Sequence, residues 1–136
     1  KGSSSLKKEK PELIANPIDA DGFYNMGNRF RNEKKYQESL KAFSSAINLD
    51  PDISYYYNNR ADIKVILGDF QGAIEDCNKG IDRNTKLAIL YVTRSEARQG
   101  LKDMNGACSD MKIASSLGDE EASQWVKINC SDINTN

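Results

Sequence analysis

The sequence predicts an all-α fold: an α-solenoid of three antiparallel helix-turn-helix repeats with a C-terminal solvating helix. A period of 34 residues is the first observation behind this prediction, since Tyr36, Phe70 and Met104 occupy the same place in successive copies. Apolar residues also recur three and four positions apart on both sides of a short break in every copy, which is typical of two amphipathic helices. The 136-residue chain has room for one domain, and no apolar run in it is long enough to span a bilayer.

The first 19 residues stand outside the repeats and are interpreted as a polar N-terminal tail or linker. They open with Lys1-Gly2-Ser3-Ser4-Ser5 and continue with a lysine-rich run, a composition typical of a mobile tether. Leu13, Ile14 and Ile18 are apolar exceptions, and two nearby prolines favour extended geometry. The alternative interpretation is that these three side chains lie against the first hairpin and seal its edge.

A helical domain is predicted over residues 20–130. It contains three repeats in unbroken register, with these approximate bounds: 20–53, 54–87 and 88–119. Gly118 supplies a helix stop, and Asp119 can cap the helix that follows. That cap helix, over about 120–130, is expected to cover the last hairpin. Residues 131–136 are predicted to be a disordered tail.

The first repeat carries a family resemblance. Its large apolar residues, glycine and closing proline are, in order, Phe23, Met26, Gly27, Phe30, Phe43 and Pro51. This order resembles the tetratricopeptide repeat, in which aromatic residues and glycine on the first helix are followed by alanine, phenylalanine and proline. The later repeats depart from it, since Lys64 and Arg98 replace the second aromatic, and Cys77 and Met111 replace phenylalanine. The resemblance covers about residues 20–119 and implies stacked helical hairpins with a concave binding face.

One pair of places changes its charge together from repeat to repeat. The places hold Met26 and Ala42 in the first repeat, Arg60 and Asp76 in the second, and Arg94 and Asp110 in the third. The resemblance puts Met26 where the inner helix normally buries an apolar residue, so the two arginines would need carboxylate partners across each hairpin. We therefore predict two salt bridges within repeats, Arg60–Asp76 and Arg94–Asp110. The alternative is that these arginines bind a ligand.

The three cysteines lack the CxxC spacing of zinc or redox sites. Cys77 stands at the place of Phe43 and is interpreted as a small core residue. Cys108 and Cys130 lie ten residues before and twelve residues after Gly118, so antiparallel helices would bring them to similar height. In an oxidising compartment we expect them to form a disulfide that joins the cap helix to the last hairpin.

The composition argues against an enzyme and against a nucleic-acid-binding protein. The chain contains no histidine, so it has no imidazole base and no histidine metal ligand, and it shows no glycine-rich phosphate loop. We predict no catalytic residue, no metal and no cofactor. Its 19 basic and 20 acidic residues are interspersed, which favours neither nucleic acid nor direct membrane insertion. The compartment of this soluble domain stays open, including export or anchoring through a removed N-terminal segment.

The family resemblance implies that the first helix of each repeat lines a concave groove that receives an extended peptide or a helix. Asparagine side chains there can read a peptide backbone because they carry a donor and an acceptor, and tyrosines add flat contact area. The predicted groove residues are Tyr24, Asn25, Asn28, Arg31, Tyr55, Asn58, Asn59, Asp62, Ile89, Val92, Thr93 and Glu96. The alternative is a solvated helix face, which would be polar without binding anything.

One ligand of the family can be tested on the sequence, namely the acidic C-terminal tail of heat-shock chaperones. The carboxylate clamp that holds it uses two asparagines and three cations. Asn28 and Asn59 stand at the asparagine places, but Tyr24, Ile89 and Thr93 stand where the cations belong. A terminal carboxylate would then lack a charge partner. We therefore expect a neutral or slightly basic peptide or helix as the partner, and not the acidic chaperone tail.

These observations favour a non-catalytic protein–protein interaction adaptor, or scaffold, that binds a peptide or helix of a partner in the concave groove. The alternative is a structural subunit or assembly factor of a larger complex, docking through its convex face or N-terminal edge. A third alternative is a regulatory domain of a larger enzyme, whose activity would lie outside these residues.

Overall fold

A computed structural model describes residues 19–130 of the chain. This part of the chain folds into seven helices and contains no strand. The helices are α1 Ala20–Asn32, α2 Tyr36–Leu49, α3 Ser54–Ile66, α4 Phe70–Arg83, α5 Ala88–Gly100, α6 Met104–Ser116 and α7 Glu120–Asn129. The predicted fold class, an α-solenoid of three helical hairpins and a closing helix, is confirmed. Apart from Asp19, the predicted N-terminal tail lies outside the described residues, as does the predicted C-terminal tail.

The chain divides into two compact units, one ending at Pro51 and the other beginning at Asp52. The first unit holds the hairpin α1–α2, and the second holds the hairpins α3–α4 and α5–α6 together with α7. Within residues 19–130, no helix has the length and apolar character needed to cross a membrane.

Aspartate caps and left-handed residues mark the ends of several helices. Asp69 and Asp103 precede α4 and α6, and each carboxylate accepts a hydrogen bond from a backbone N–H of the first turn, at 3.0 and 2.9 Å. Lys34, Gly68 and Lys102 occupy the same place in successive repeats, with φ angles of 62°, 84° and 64°. This left-handed geometry ends the first helix of each hairpin and turns the chain towards the second.

Close contact between α1 and α2 holds the first unit together. Phe43 is fully buried, and a Cβ atom added to Gly27 would lie 2.5 Å from its ring, so only glycine permits this approach. The hydroxyl of Ser39 donates a 2.8 Å hydrogen bond to the carbonyl oxygen of Gly27. The two helices therefore touch through their smallest residues.

The second unit has a core built largely from small residues. One buried cluster consists of Ala61, Ala73, Cys77 and Ala97, and another consists of Tyr91, Met111, Ala114 and Ala122. Gly80 likewise permits close packing, since a Cβ atom added to it would lie 2.6 Å from the side chain of Leu90. Burial raises the pKa of the Cys77 thiol to about 12, so this side chain stays neutral within the core.

A disulfide fastens the last helix. Cys108 on α6 is bonded to Cys130, the residue after α7, with the two Cα atoms 5.9 Å apart. Otherwise α7 packs mainly through buried Ala122 and partly buried Trp125 and Val126. Because this ten-residue helix buries few side chains, its position depends strongly on the cross-link.

Loss of the Cys108–Cys130 bond is expected to lower the free energy of unfolding by roughly 2–4 kcal/mol, because the bond restricts the unfolded chain. Urea unfolding of the oxidised protein, with and without reductant, measures the difference. A Cys108→Ala, Cys130→Ala double variant is the control, since its unfolding curve should not respond to reductant. Coincident curves for the wild-type protein would contradict the prediction.

Candidate peptide-binding face

Helices α3 and α5, the first helices of the second and third repeats, pack against each other in the second unit. Tyr55 and Ile89 stand at the same place in these repeats and expose 45% and 42% of their surface. The ring of Tyr55 meets the ring of Tyr56 edge-on, with centroids 5.5 Å apart. Two large side chains are thus partly exposed to solvent on neighbouring helices. We call this surface the α3–α5 face, formed by Tyr55, Asn59, Asp62, Ile89, Val92 and Glu96.

Two of the predicted groove residues lie beneath this face. The Thr93 hydroxyl donates a 2.7 Å hydrogen bond to Oδ1 of Asn58, and both side chains are buried. Nδ2 of Asn58 in turn donates to Oδ1 of Asn59 at 3.3 Å. Asn58 and Thr93 therefore join α3 to α5, and this chain of hydrogen bonds orients the half-buried amide of Asn59.

The carboxylates of Asp62 and Glu96 give the face its charge. They stand at the same place in the second and third repeats, on α3 and α5. Desolvation raises the pKa of Glu96, and the negative charge of Asp62 raises it further. Glu96 consequently takes up a proton more readily than an ordinary glutamate.

The other predicted groove residues belong to the first unit, where α1 carries all four. Tyr24 packs on Phe43 with ring centroids 5.8 Å apart, while Asn25 and Arg31 are exposed and Asn28 is half-buried. Tyr24, Asn28 and Arg31 each contact other residues of the chain. The first unit thus presents amide, phenol and guanidinium groups along one helix.

A buried carboxylate sits between α3 and α4. Asp76, only 1% exposed, accepts two hydrogen bonds from Arg60, of 2.9 and 2.7 Å. It also forms an ion pair with Lys64 at 2.9 Å. Both cations belong to α3, which places them one turn apart on the same helix face. The bidentate geometry of Arg60 is among the stronger kinds of side-chain hydrogen bonding.

The third repeat contains the same cluster with one additional contact. Arg94 and Arg98 reach Asp110 at 2.7 and 2.8 Å, and Asp110 is fully buried. Arg94 also donates a 2.8 Å hydrogen bond to Oδ1 of Asn78 on α4, so it links three helices. Desolvation alone would lower the pKa of Arg94, but the hydrogen bond and charge of Asp110 outweigh this effect and raise it.

The second cation of each cluster was not predicted as a partner. Lys64 and Arg98 stand where the first repeat has Phe30, so a cation appears there only in the repeats that also hold the Arg–Asp pair. This joint change of three places was the available signal. Each cluster carries two cations on one carboxylate.

Asp76→Ala is expected to lower the free energy of unfolding by roughly 3–5 kcal/mol, because Arg60 and Lys64 would keep their charges without the buried partner. Urea unfolding measures the loss. The triple variant Arg60→Met, Lys64→Phe, Asp76→Ala supplies the residues of the first repeat at these places and should recover most of the stability. A single variant as stable as the wild type would contradict the assignment of Asp76 as the anchor of this cluster.

The helical hairpins and their 34-residue repeat period define an α-solenoid built from helix-turn-helix repeats. A family model described as Tetratricopeptide repeat matches residues 20–53 and 54–86. The chain belongs to the tetratricopeptide repeat family.

Two curated relatives illustrate this membership. The chain is 30% identical over 96 residues to Hsc70-interacting protein 1 of Drosophila melanogaster, covering 70% of this chain and 26% of that protein. It is 32% identical over 77 residues to Hsp70-Hsp90 organizing protein 1 of Arabidopsis thaliana, covering 55% of this chain and 14% of that protein. The chain thus spans about a quarter or less of the length of these relatives.

Solved structures share the fold over most of the chain. The first tetratricopeptide domain of Spaghetti (RPAP3), bound to the HSP90 peptide SRMEEVD, has a TM-score of 0.79 and 22% identity, covering 90% of this chain and 98% of that domain. The OM64 tetratricopeptide domain of Arabidopsis has a TM-score of 0.77 and 26% identity, covering 82% of this chain and 93% of that domain.

The expectation of a neutral or slightly basic partner, with the acidic chaperone tail excluded, is contradicted by these comparisons. Domains of this fold were solved with the HSP90 peptide SRMEEVD and with the HSP70 peptide SGPTIEEVD. The exclusion rested on missing cations at Tyr24, Ile89 and Thr93. That prediction considered the charge at each position separately and did not take into account which side chains reach the surface. Thr93 is in fact buried against Asn58.

Proposed function

We propose that this chain is a non-catalytic adaptor module that binds a peptide segment of a partner protein along the α3–α5 face. The observation that carries the proposal is the exposure of Tyr55 and Ile89 at equivalent places on two adjacent helices. Large side chains held at a protein surface by a rigid scaffold are typical of peptide-binding sites. The names of the curated relatives, which refer to interaction with Hsc70 or to the organisation of Hsp70 and Hsp90, support the same class of function.

The groups on the face suit an extended peptide. Tyr55 and Ile89 offer apolar contact area, and the amide of Asn59, whose Oδ1 accepts a hydrogen bond from Asn58, adds a polar group that can pair with the peptide backbone. Asn58 and Thr93 hold the two helices at a fixed separation, at 2.7 Å between the bonded oxygen atoms. A preformed face of this kind loses little conformational entropy when a peptide binds.

The first peptide to test is the acidic C-terminal segment of a heat-shock chaperone, since related domains were solved with such segments. Labelled SRMEEVD and a counterpart with glutamine and asparagine in place of its acids separate acid recognition from general peptide binding. Preference for the acidic peptide supports chaperone-tail recognition, and equal affinity supports peptide binding without it. Binding of neither peptide would count against the α3–α5 face as a site for segments of this kind.

Asn59→Ala is expected to weaken binding of SRMEEVD about tenfold, which corresponds to one hydrogen-bonded group of roughly 1.4 kcal/mol. Fluorescence anisotropy of the labelled peptide gives the dissociation constant. Gln124→Ala, on the exposed surface of α7, is the matched control and should bind as the wild type does. Equal affinity of the Asn59 and Gln124 variants would move the binding site away from the α3–α5 face.

Acidic peptides are expected to bind more tightly as the pH falls from neutral towards the raised pKa of Glu96. Burial and the charge of Asp62 raise the pKa of Glu96. Above that pKa the Glu96 side chain is negative and repels the carboxylates of the peptide. Below it the side chain is neutral and the repulsion is lost. Glu96→Gln should therefore bind more tightly at neutral pH and lose most of the pH dependence. Glu121→Gln, on exposed α7, is the control for protonation of the peptide itself. An unchanged pH profile in the Glu96 variant would refute this account.

A further inference from the structure

The first unit carries an apolar groove that the proposed peptide-binding face does not use. It lies between α1 and α2, has a volume of about 180 Å³, and is lined by the apolar residues Phe23, Met26, Phe30 and Ala42 together with Glu38, Lys41 and Ser45. Phe23, Met26 and Phe30 are only half-buried. Covering this surface would remove apolar area from water at a gain of about 25 cal/mol per Å². We call it the N-terminal groove.

The corresponding place in the third repeat is covered by the helix that precedes it. Met26, Phe30 and Ala42 correspond to Arg94, Arg98 and Asp110. There Arg94 donates a 2.8 Å hydrogen bond to Asn78 of α4, so the preceding repeat closes the junction with polar contacts. The first repeat has apolar residues at all three places, which cannot form such contacts. Its cover must therefore be apolar.

We propose that the N-terminal groove binds the apolar part of residues 1–18 of this same chain, through Leu13, Ile14 and Ile18. The segment 13–18 directly precedes Asp19, the N-cap of α1, and Phe23 follows one turn later. The six Cα–Cα steps from Asp19 back to Leu13 can span up to about 20 Å, which exceeds the roughly 17 Å along α1 from Asp19 to Phe30. The segment can therefore turn back and reach the whole length of the groove.

Direct attachment favours this occupant over a separate molecule. A segment tethered within a few residues of its site has an effective concentration in the millimolar range, so even weak apolar contacts fill the groove. Closing so short a loop costs little entropy. Two prolines within residues 11–17 also limit the conformations that the segment must give up.

Methyl NMR of the 136-residue chain tests the proposal, because the three methionines supply a probe and two internal references. Met26 lies in the groove, whereas Met104 and Met111 belong to α6. With ¹³C-methyl labels on methionine, leucine and isoleucine, we expect nuclear Overhauser contacts between the Met26 methyl and those of Leu13 or Ile14. The triple variant Leu13→Ser, Ile14→Ser, Ile18→Ser of the same 136-residue chain should lose these contacts and shift the Met26 signal, leaving the signals of Met104 and Met111 unchanged. The matched control Lys7→Ser, Lys8→Ser, Lys10→Ser alters three polar tail residues and should leave all three signals in place.

Each outcome decides the question. Contacts that persist on dilution and disappear in the apolar variant support the proposal. A Met26 signal that is identical in the wild type and the apolar variant, without contacts to the tail, overturns it and leaves the groove to another molecule. Contacts seen only between differently labelled chains in a mixed sample also overturn it, since the occupant would then be the tail of a second copy.

Discussion

Buried carboxylates fix the arrangement of helices in the second unit. Asp76 and Asp110 are almost completely inaccessible, and each binds two cations supplied by the first helix of its own repeat. Removing such charges from water is costly, so the cluster is stable only when every donor and acceptor finds a partner. That condition holds, since within residues 19–130 no buried side-chain nitrogen or oxygen lacks a hydrogen-bond partner. A rotation of α3 or α5 would break this arrangement, which keeps both helices in one orientation.

The chemistry of the α3–α5 face follows from that orientation. The cations turn towards α4 and α6, while Asn58 and Thr93 lie where α3 and α5 meet, and their hydrogen bond of 2.7 Å joins the two helices. Two pairs of residues on the face repeat at an interval of 34 residues: Tyr55 with Ile89, which are large and exposed, and Asp62 with Glu96, which are acidic. The ion clusters and the binding face are therefore two sides of the same helices, and a change in the clusters alters the face.

The sequence was sufficient to predict the helices and their order, because a 34-residue period constrains every repeat in the same way. It was less informative about contacts between side chains of neighbouring helices. Asn58 and Thr93 stand 35 residues apart, and only the packing distance between α3 and α5 reveals that they bond to each other. Lys64 and Arg98 were recognised as replacements for an aromatic residue, yet their shared carboxylates depend on which side of the helix they occupy. The prediction of the ligand's charge was wrong for a similar reason, since it was inferred from residue types at individual positions of the repeat.

Burial also preserves the cross-link that holds α7. Thiolates, and not thiols, attack disulfides, so a free cysteine can start thiol–disulfide exchange only when it can ionise. Burial raises the pKa of Cys77 to about 12, although the charge of Arg94 opposes the increase. Cys77 therefore remains a neutral thiol at physiological pH and cannot exchange with Cys108 or Cys130 while the core is intact. The packing around Cys77, which stands at the place of Phe43, thus keeps this thiol from starting disulfide exchange in the folded protein.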